Sequence, residues 1–404
     1  MMGDGTTNCD ILIVGGGLVG CATAWHLTRM GLRVLLAERG HLNAGASGQN
    51  AGSLHFQIER RFLEQGEKAA ADGARIVSLN RVAIDEWRGL EEMLGRPLDV
   101  VMHGGLMVAE TEAELELLAF KVARENELGL STQVLDGADL RHRAPCLAGG
   151  LAGAAWLADE GHANPRILVD AFAQGAHERG ATIRTGTTLT ALSMARDGTY
   201  RATLQMPAGE CRVQTPRILL AAGHWVPHLA ALLGLNVPLY AAPLMMSVTD
   251  RTEPVLPFLI QHVGRRLSMK QTEDGNILIG GGWPARLARR QDGRPDHDAP
   301  PIVEPANLRA NLEVATRVMP ALARRALLRT WTGTTCISAD QLPIVGEVAA
   351  APGLFVAAGG SLFTLGPVLA RLLGPTIAEG SVPEELEMFT PRRFAHLDAF
   401  AVLP

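Results

Sequence analysis

The stretch DILIVGGGLVGCATAWHLTRMGLRVLLAE, residues 10–38, decides the fold. An apolar strand at 10–14 runs into a glycine turn, a helix is predicted at 19–30, and a second apolar strand covers 32–38. Gly31 stands just beyond the helix, where a glycine commonly ends one. Strands that are apolar throughout are typical of a parallel sheet covered on both faces. The stretch therefore predicts one βαβ unit.

The glycine turn has the pattern G-x-G-x-x-G. Gly15 permits the tight turn, Gly17 lets the backbone approach a pyrophosphate, and Gly20 lets the helix pack against the strand. The helix N-terminus stabilises the pyrophosphate through free N–H groups and its dipole. Glu38 ends the second strand and is suited to bind a ribose diol, which disfavours NADP. The unit predicts a dinucleotide site; a glycine turn without a ligand is the alternative.

Composition limits the remaining possibilities. A length of 404 residues predicts two lobes, and a net charge of −5 without charge blocks gives no sign of nucleic-acid binding. The five cysteines lack C-x-x-C spacing, so we expect no disulfide framework, no metal site and a reducing, cytoplasmic location. No basic N-terminal region and no long uncharged apolar run occurs, so we expect neither a signal peptide nor a membrane span.

Periodicity predicts α/β pieces at both ends and in the middle of the chain, interrupted by a strand-rich region. The predicted helices are 66–97, 112–128, 167–179 and 367–379, and the further strands are 181–185, 218–222, 239–249, 265–272, 276–281 and 353–358. Asp274-Gly275 predicts a hairpin turn. The polar stretch 287–301 is rich in proline and glycine and predicts a surface loop. This arrangement favours two interleaved lobes.

Four segments, in order along nearly the whole chain, resemble the D-amino-acid oxidase/sarcosine oxidase-like flavoproteins. They are the glycine pattern with Glu38-Arg39, GASGQNAGSLH (45–55), ILLAAGHWVPHL (218–229), and ADQLPIVGE (339–347) with GLFVAAGGSLFTLGP (353–367). The second is similar to the family's flavin-contacting loop, and the third to its strand with an A-A-G-x-W turn. The resemblance implies FAD rather than NAD as the cofactor.

The resemblance also implies the residues that bind FAD. Leu189 is similar to a position whose backbone contacts the adenine end, and Trp225 is expected to lie beneath the cofactor. Cys336 is too close to Asp340 to match the family's flavin-linking cysteine, so non-covalent FAD is expected. The complete predicted set is Gly15, Gly17, Val19, Gly20, Glu38, Arg39, Ser47, Gln49, Asn50, Ala51, Gly52, Ser53, Leu54, Leu189, Ala222, Gly223, Trp225, Gly359, Gly360, Leu362, Phe363 and Thr364.

The implied fold class is α/β, with a Rossmann-type FAD-binding domain interleaved with a β-rich substrate domain of mixed sheet and helices. We expect the FAD-binding domain in three pieces and the substrate domain in two. The first comprises 8–60, 150–230 and 331–385, and the second comprises 61–149 and 231–330.

Within this family, three segments resemble most of all the opine oxidase B-subunits, the hydrogen cyanide synthase subunit and the proline/hydroxyproline dehydrogenase β-subunits. They are GQNAGSLH (48–55), HGGLMVAET (103–111) and RLSMKQTEDGNILIGGGWP (266–284). The resemblance implies FAD-dependent oxidation of an opine, a proline-like acid or a D-amino acid to an imine, which water hydrolyses. It also implies a partner subunit that carries further redox centres. A self-sufficient oxidase that uses oxygen and a flavin-bearing electron-relay or structural subunit are the alternatives.

Lys270 is the first catalytic candidate. Strand alternation puts it on one face with Arg266 and Ser268, opposite Leu267 and Met269. This face is expected to roof the flavin, and Lys270 resembles the lysine near flavin N5 in sarcosine oxidases. A solvated strand lysine is the alternative, and Arg266 is a weaker candidate.

Two further catalytic candidates are His55 and Tyr240. His55 ends the flavin loop and is expected to face the substrate, whereas Tyr240 begins a substrate-lobe strand and is a candidate for contact with an amine or carboxylate. Ordinary packing is the alternative for Tyr240. Thr364 stands where sarcosine oxidases have a carboxylate-binding lysine, and Thr335 where many relatives have an arginine. These departures leave the substrate open.

Overall fold

A six-stranded sheet carries the glycine turn in the computed structural model, which describes residues 6–64 and 73–397. The strands are parallel except the first in sheet order, which is antiparallel to the second. In sheet order they are Ile344–Glu347, Leu354–Ala358, Ile218–Leu220, Ile11–Val14, Val34–Ala37 and Thr182–Arg184. The predicted βαβ unit is confirmed, with its helix at Leu18–Arg29.

The six-stranded sheet is buried on both faces, as its apolar strands require. On one face pack the helices Leu18–Arg29, Pro165–Glu178 and Gly366–Glu379. The other face packs against a four-stranded sheet through apolar residues such as Leu12 and Tyr200. The strands of that sheet are Thr7–Asn8, Gly209–Thr215, Tyr200–Met206 and Thr188–Met194.

A mixed eight-stranded sheet forms the core of the second lobe. Its strands, in order, are Leu327–Ser338, Leu239–Arg251, Asn276–Gly280, Ser268–Gln271, Leu259–His262, Gly105–Ala109, Gly153–Leu157 and Gln133–Asp136. Apolar residues on one face pack against the helix Pro305–Val318. The helices Glu112–Glu127 and Gly137–Arg143 also pack on this sheet, whereas Ile76–Leu94 packs against the helices Pro165–Glu178 and Gly366–Glu379 of the first lobe. The predicted α/β fold with a β-rich second lobe is confirmed.

Short elements complete the described chain. They are Ala46–Gln49, Ser53–Leu54, Arg60–Leu63, Gly161–His162, Gly223–Trp225, Val226–Ala230, Ala231–Leu233, Ala288–Arg289, Pro295–Asp296, Pro320–Arg324, Glu384–Glu387 and Pro391–Leu397. The predicted surface loop 287–301 thus carries a two-stranded hairpin.

Several predicted boundaries differ from those of the structure. The helix predicted at 66–97 is described as Ile76–Leu94, and the positions 65–72 lie outside the described residues. The strand predicted at 265–272 is only Ser268–Gln271, whereas the hairpin after it is confirmed. Gly153–Leu157 pairs in the eight-stranded sheet although it lies in a range predicted for the FAD-binding domain. The domain ranges themselves stay a prediction.

Candidate active site

A cavity of about 1170 Å³ lies between the two large sheets. The carboxyl ends of the parallel strands form one wall, with Gly15, Glu38 and Ala222 at the ends of three neighbouring strands. Residues of the eight-stranded sheet, including Gln261 and Ser268, line the opposite side. Ligands of open α/β sheets bind at this edge of the strands. The cavity is as large as the largest ordinary ligand pockets, which reach about 1,000 Å³.

The glycine turn has the geometry that the pattern predicts. Gly15 has a φ of 117°, and a Cβ on Gly20 would overlap the carbonyl oxygen of Gly15. Glu38 accepts hydrogen bonds from the backbone N–H groups of Gly16 and Gly40, both at 2.7 Å. Each carboxylate oxygen keeps a further lone pair for a ligand hydroxyl. The turn is thus shaped for close approach of a dinucleotide.

The loop that follows the second strand is held by its own side chains. Asn50 Nδ2 donates to the carbonyls of Ala46 and Ser47, and Asn50 Oδ1 accepts from Gly52 N at 2.6 Å. The carbonyl of Gln49 accepts from Trp331 Nε1 at 2.8 Å. These bonds fix the loop to the strand Leu327–Ser338, so it forms a preorganised cavity wall.

Most of the predicted cofactor-binding residues line this cavity. Those that do so are Gly15, Gly17, Val19, Glu38, Arg39, Ser47, Gln49, Asn50, Ala51, Ser53, Leu189, Ala222, Gly223, Trp225, Gly359, Gly360, Leu362, Phe363 and Thr364. Gly20, Gly52 and Leu54 lie behind the wall, where Gly52 packs closely on the carbonyl of Ala163 and Leu54 is fully buried. Direct contact with FAD stays a prediction for all of the predicted residues.

His55 brings together two parts of the chain that are distant in sequence. Its Nε2 lies 3.5 Å from Ser268 Oγ, and its backbone N–H donates to Thr364 Oγ1 at 3.3 Å. His55 Nδ1 is buried and has no hydrogen-bond partner among the residues that the structure describes. Since His55 lines the cavity, this nitrogen can form a hydrogen bond with a ligand.

Lys270 shares a sheet face with Ser268 but does not line the cavity. It is almost fully buried, and burial lowers the pKa of its ammonium group to about 7. Burial, together with the neighbouring groups Lys270 and His103, lowers the pKa of His162 to about 3. Within the described residues no carboxylate offsets the burial of Lys270. Its catalytic role stays a prediction.

The pKa of Lys270 makes stability depend on pH. Between pH 7 and 10.5 the unfolded lysine, with an ordinary pKa of 10.5, holds a proton that the folded one has lost, so the free energy of unfolding rises with pH in this window. We expect Lys270→Met to remove this rise, as measured by urea denaturation at a series of pH values. Arg251→Gln, on the exposed end of another strand of the same sheet, is the control. A pH-independent difference between wild type and Lys270→Met would contradict the assigned pKa.

Tyr240 lies away from the cavity. Its side chain is 60% exposed, opposite Ile337 in the neighbouring strand. Ala242 and Leu244 of the same strand do line the cavity. The strand is therefore part of the site, whereas the predicted contact of Tyr240 with the substrate has no support from its position.

Besides Arg39, the described arginines that line the cavity are Arg60, Arg61, Arg265 and Arg266. Of these four, the sequence indicated only Arg266. Both terminal nitrogens of Arg61 are engaged, with Glu59, Ser361 and the carbonyl of Gln341, and Arg265 pairs with Glu110 at 2.9 Å. A signal for Arg60 and Arg61 existed, because ERR closely follows the flavin loop at 59–61.

Arg60 and Arg266 have hydrogen-bonding capacity left for a ligand. Arg60 Nη2 pairs with Glu64, and Arg60 Nη1 has no hydrogen-bond partner among the described residues. Arg266 Nη1 donates to the carbonyl of Gly282 at 2.9 Å. Burial and the charge of Arg266 lower the pKa of Arg60, against the effect of Glu64. An anionic ligand group between the two guanidinium groups would relieve this repulsion.

A buried polar network holds the segment that carries His55. Glu160 Oε1 accepts from the backbone N–H groups of Phe56 and Gln57, and both its oxygens lie within 3.4 Å of Gln261 Nε2. Lys121 Nζ bridges Gln57 Oε1 at 2.7 Å and Glu125 Oε1 at 2.8 Å. Because Gln261 also lines the cavity, the network connects the cavity wall to a fully buried ion pair.

Cys336 is also in the cavity wall. The side chain is buried, and burial raises the pKa of its thiol to about 12. A neutral thiol is a weak nucleophile. This environment favours the predicted non-covalent attachment of FAD.

The features of the cavity fit FAD. The cavity is large and contains the glycine turn beside Glu38. It also has spare hydrogen-bonding groups, the unpartnered nitrogens of His55, His224 and His297. No group of three His, Cys, Asp or Glu side chains in the described residues is arranged to hold a metal ion. No described helix is long and apolar enough to cross a membrane.

Known proteins resemble this chain in sequence and in fold. Residues 10–374 match the family described as DAO, FAD dependent oxidoreductase. The chain is similar to the opine oxidase B-subunit of Rhizobium meliloti, with 27% identity over 390 residues that cover 95% of this chain and 97% of that protein. It is similar to the 4-methylaminobutanoate oxidase (formaldehyde-forming) of Paenarthrobacter nicotinovorans, with 28% identity over 382 residues that cover 92% and 43%, respectively. Glycine oxidase from Geobacillus kaustophilus has the same fold, with a TM-score of 0.81 at 24% identity over 95% of this chain and 98% of that one.

Proposed function

Because the chain belongs to the DAO family of FAD-dependent oxidoreductases, we propose that it oxidises a C–N bond of an amino acid or secondary-amine acid, such as an opine, a proline-like acid or a D-amino acid. The product is an imine, which water hydrolyses. The cofactor is FAD, and the predicted family resemblance is confirmed. One observation carries the proposal: the cavity continues from the dinucleotide turn to a pocket with His55, Arg60 and Arg266.

Bound FAD supplies the acceptor for the hydride that leaves the carbon next to nitrogen. We propose that Arg60 and Arg266 hold the substrate carboxylate, since both line the pocket and each has a terminal nitrogen to spare. The amine must be neutral before its carbon loses a hydride, and His55 Nδ1, an unpartnered nitrogen on the substrate side of the cavity, can accept an ammonium proton. Ser268, close to His55 Nε2, orients the ring.

We further propose that the chain is the substrate-oxidising subunit of a heteromeric dehydrogenase. The name of its relative, the B-subunit of an opine oxidase, supports a partner subunit, which would receive the electrons. We also propose a cytoplasmic location, supported by five cysteines that form no disulfide within the described residues. The alternatives are a self-sufficient oxidase and an electron-relay or structural subunit.

An anaerobic screen of flavin reduction tests the proposed reaction. Purified protein is mixed with opines, D-amino acids, proline analogues and sarcosine, and loss of flavin absorbance is recorded. We expect at least one of these acids to bleach the flavin, which rules out a purely structural or relay role. Oxygen consumption by the isolated chain at the rate of dye reduction would favour the self-sufficient oxidase. If no compound bleaches the flavin, even with partner subunits present, the proposal fails.

Arg60→Gln is expected to raise KM for a carboxylate substrate about 30-fold, because a hydrogen bond to a charged group contributes about 2 kcal/mol. The change in kcat should stay below about threefold, since the contact exists before and during the reaction. Arg88→Gln removes an exposed arginine outside the cavity and is the control. Steady-state kinetics with an amine that lacks the carboxylate should not distinguish Arg60→Gln from wild type. An equal loss with both substrates would show that Arg60 does not bind the carboxylate.

A further inference from the structure

A hairpin of the second lobe crosses the cavity where Glu38 and Arg39 lie. We call residues 285–302 the strap. Its base is closed by backbone hydrogen bonds between Arg286 and Ile302, at 2.7 and 2.9 Å, and its two short strands pair beyond that point. Pro301 accepts from Thr332 Oγ1 at 2.8 Å, which fixes the strap to the strand Leu327–Ser338. Residues 297–301 of the strap line the cavity.

An ion pair joins the strap to the dinucleotide lobe. Asp298 Oδ1 accepts from Arg39 Nη1 at 2.7 Å, and the guanidinium of Arg39 lies 4.3 Å from the ring centroid of Trp225. Arg290 of the strap donates to the other oxygen of Asp298 at 2.9 Å. Arg39 directly follows Glu38, the carboxylate suited to a ribose diol. The ion pair therefore closes the cavity beside the predicted nucleoside site.

A cluster of rings adds a second contact. The ring of His297 lies between 5.1 and 5.8 Å, centroid to centroid, from the rings of His224, Trp225 and His228. Burial and the neighbouring His297 and Arg39 groups lower the pKa of His224 to about 4, so this ring packs in its neutral form. His224 Nε2 and His297 Nδ1 are buried without partners among the described residues. Two polar nitrogens on opposite lobes thus remain for a ligand.

We propose that the strap is part of the FAD site and closes over the adenosine half of the cofactor. Its His297 and Asp298 complete, from the second lobe, a pocket whose floor is formed by Glu38, Arg39 and Trp225. FAD then leaves only after the strap has separated from the dinucleotide lobe. The proposal rests on FAD as the cofactor and is independent of which amine is oxidised.

The test measures FAD dissociation from the holoprotein after dilution, by the rise in flavin fluorescence. Asp298→Asn is expected to speed dissociation about threefold, since an exposed ion pair contributes only weakly, and His297→Ala about as much. High salt should speed dissociation from wild type but not from Asp298→Asn. Asp292→Asn, at the exposed turn of the same hairpin, is the control and should match wild type.

Arg39→Gln removes the same ion pair from the other lobe without changing the strap; because Arg39 is itself a predicted FAD-binding residue, its effect should be at least as large as that of Asp298→Asn. Thermal unfolding of the apoproteins should not distinguish the variants from wild type. Dissociation rates of Asp298→Asn, His297→Ala and Arg39→Gln within about 1.5-fold of wild type would overturn the proposal, and so would an equal increase for Asp292→Asn. Neither result depends on finding a substrate, so failure of the strap and failure of the proposed reaction are distinguishable.

Discussion

Gly20→Ala should give a colourless protein, with affinity for FAD reduced at least about 100-fold, or about 2.7 kcal/mol. The added Cβ would overlap the carbonyl oxygen of Gly15, which is backbone and cannot rotate away. The helix Leu18–Arg29 would have to move off its strand, and the turn that approaches the pyrophosphate would open. Gly17→Ala is milder in this respect, because its Cβ would meet Ser47 Oγ at 3.0 Å, and a side chain can shift.

Absorbance of the purified protein and titration of apoprotein with FAD measure the effect of Gly20→Ala. Gly89→Ala is a matched control, since Gly89 is on an exposed helix face and the Cβ added there would meet no other atom. This control should bind FAD as wild type does and be slightly more stable. Far-UV circular dichroism shows whether the Gly20→Ala apoprotein is folded. A folded Gly20→Ala protein with wild-type affinity would show that the turn does not hold the dinucleotide.

The dinucleotide half of the site could be predicted from sequence because its requirements are local. A positive φ at Gly15, close packing at Gly20 and a carboxylate at the end of the next strand all arise within one βαβ unit. Such a unit leaves its pattern in consecutive residues. The strands were predictable for a similar reason, because a strand buried on both faces, such as Ile11–Val14, must be apolar throughout.

The substrate half could be predicted only in part, because its residues meet through tertiary packing. His55 and Ser268 are separated by 213 positions and meet only once the two sheets face each other. The alternation of side chains along a strand correctly predicted that Lys270 and Ser268 share one face of the sheet. It does not predict how deeply a residue is buried on that face. For the same reason, the sequence could not predict that Tyr240 is exposed. His297 belongs to a polar hairpin whose composition indicates only a surface loop.

Glu160→Ala should lower the free energy of unfolding by about 3–5 kcal/mol, because each buried donor left without an acceptor costs about 1–3 kcal/mol. Glu160 is fully buried, and its loss leaves the N–H groups of Phe56 and Gln57 and the amide of Gln261 without their acceptor. The ion pair between Lys121 and Glu125 would remain. The side chain of Gln57, which links this pair to Glu160, would no longer be held in one position. Urea denaturation measures the change.

Two variants show whether the acceptor itself matters. Glu127→Ala breaks an exposed pair with Arg124 and should cost at most about 1 kcal/mol. Glu160→Gln keeps the shape but sets an amide donor against the amides of Gln57 and Gln261, so its cost should lie between those of the two alanine variants. Since the segment held by Glu160 begins at His55, Glu160→Gln should also slow flavin reduction by substrate more than it weakens substrate binding. A Glu160→Ala loss no larger than that of Glu127→Ala would mean that the network neither stabilises this segment nor positions His55.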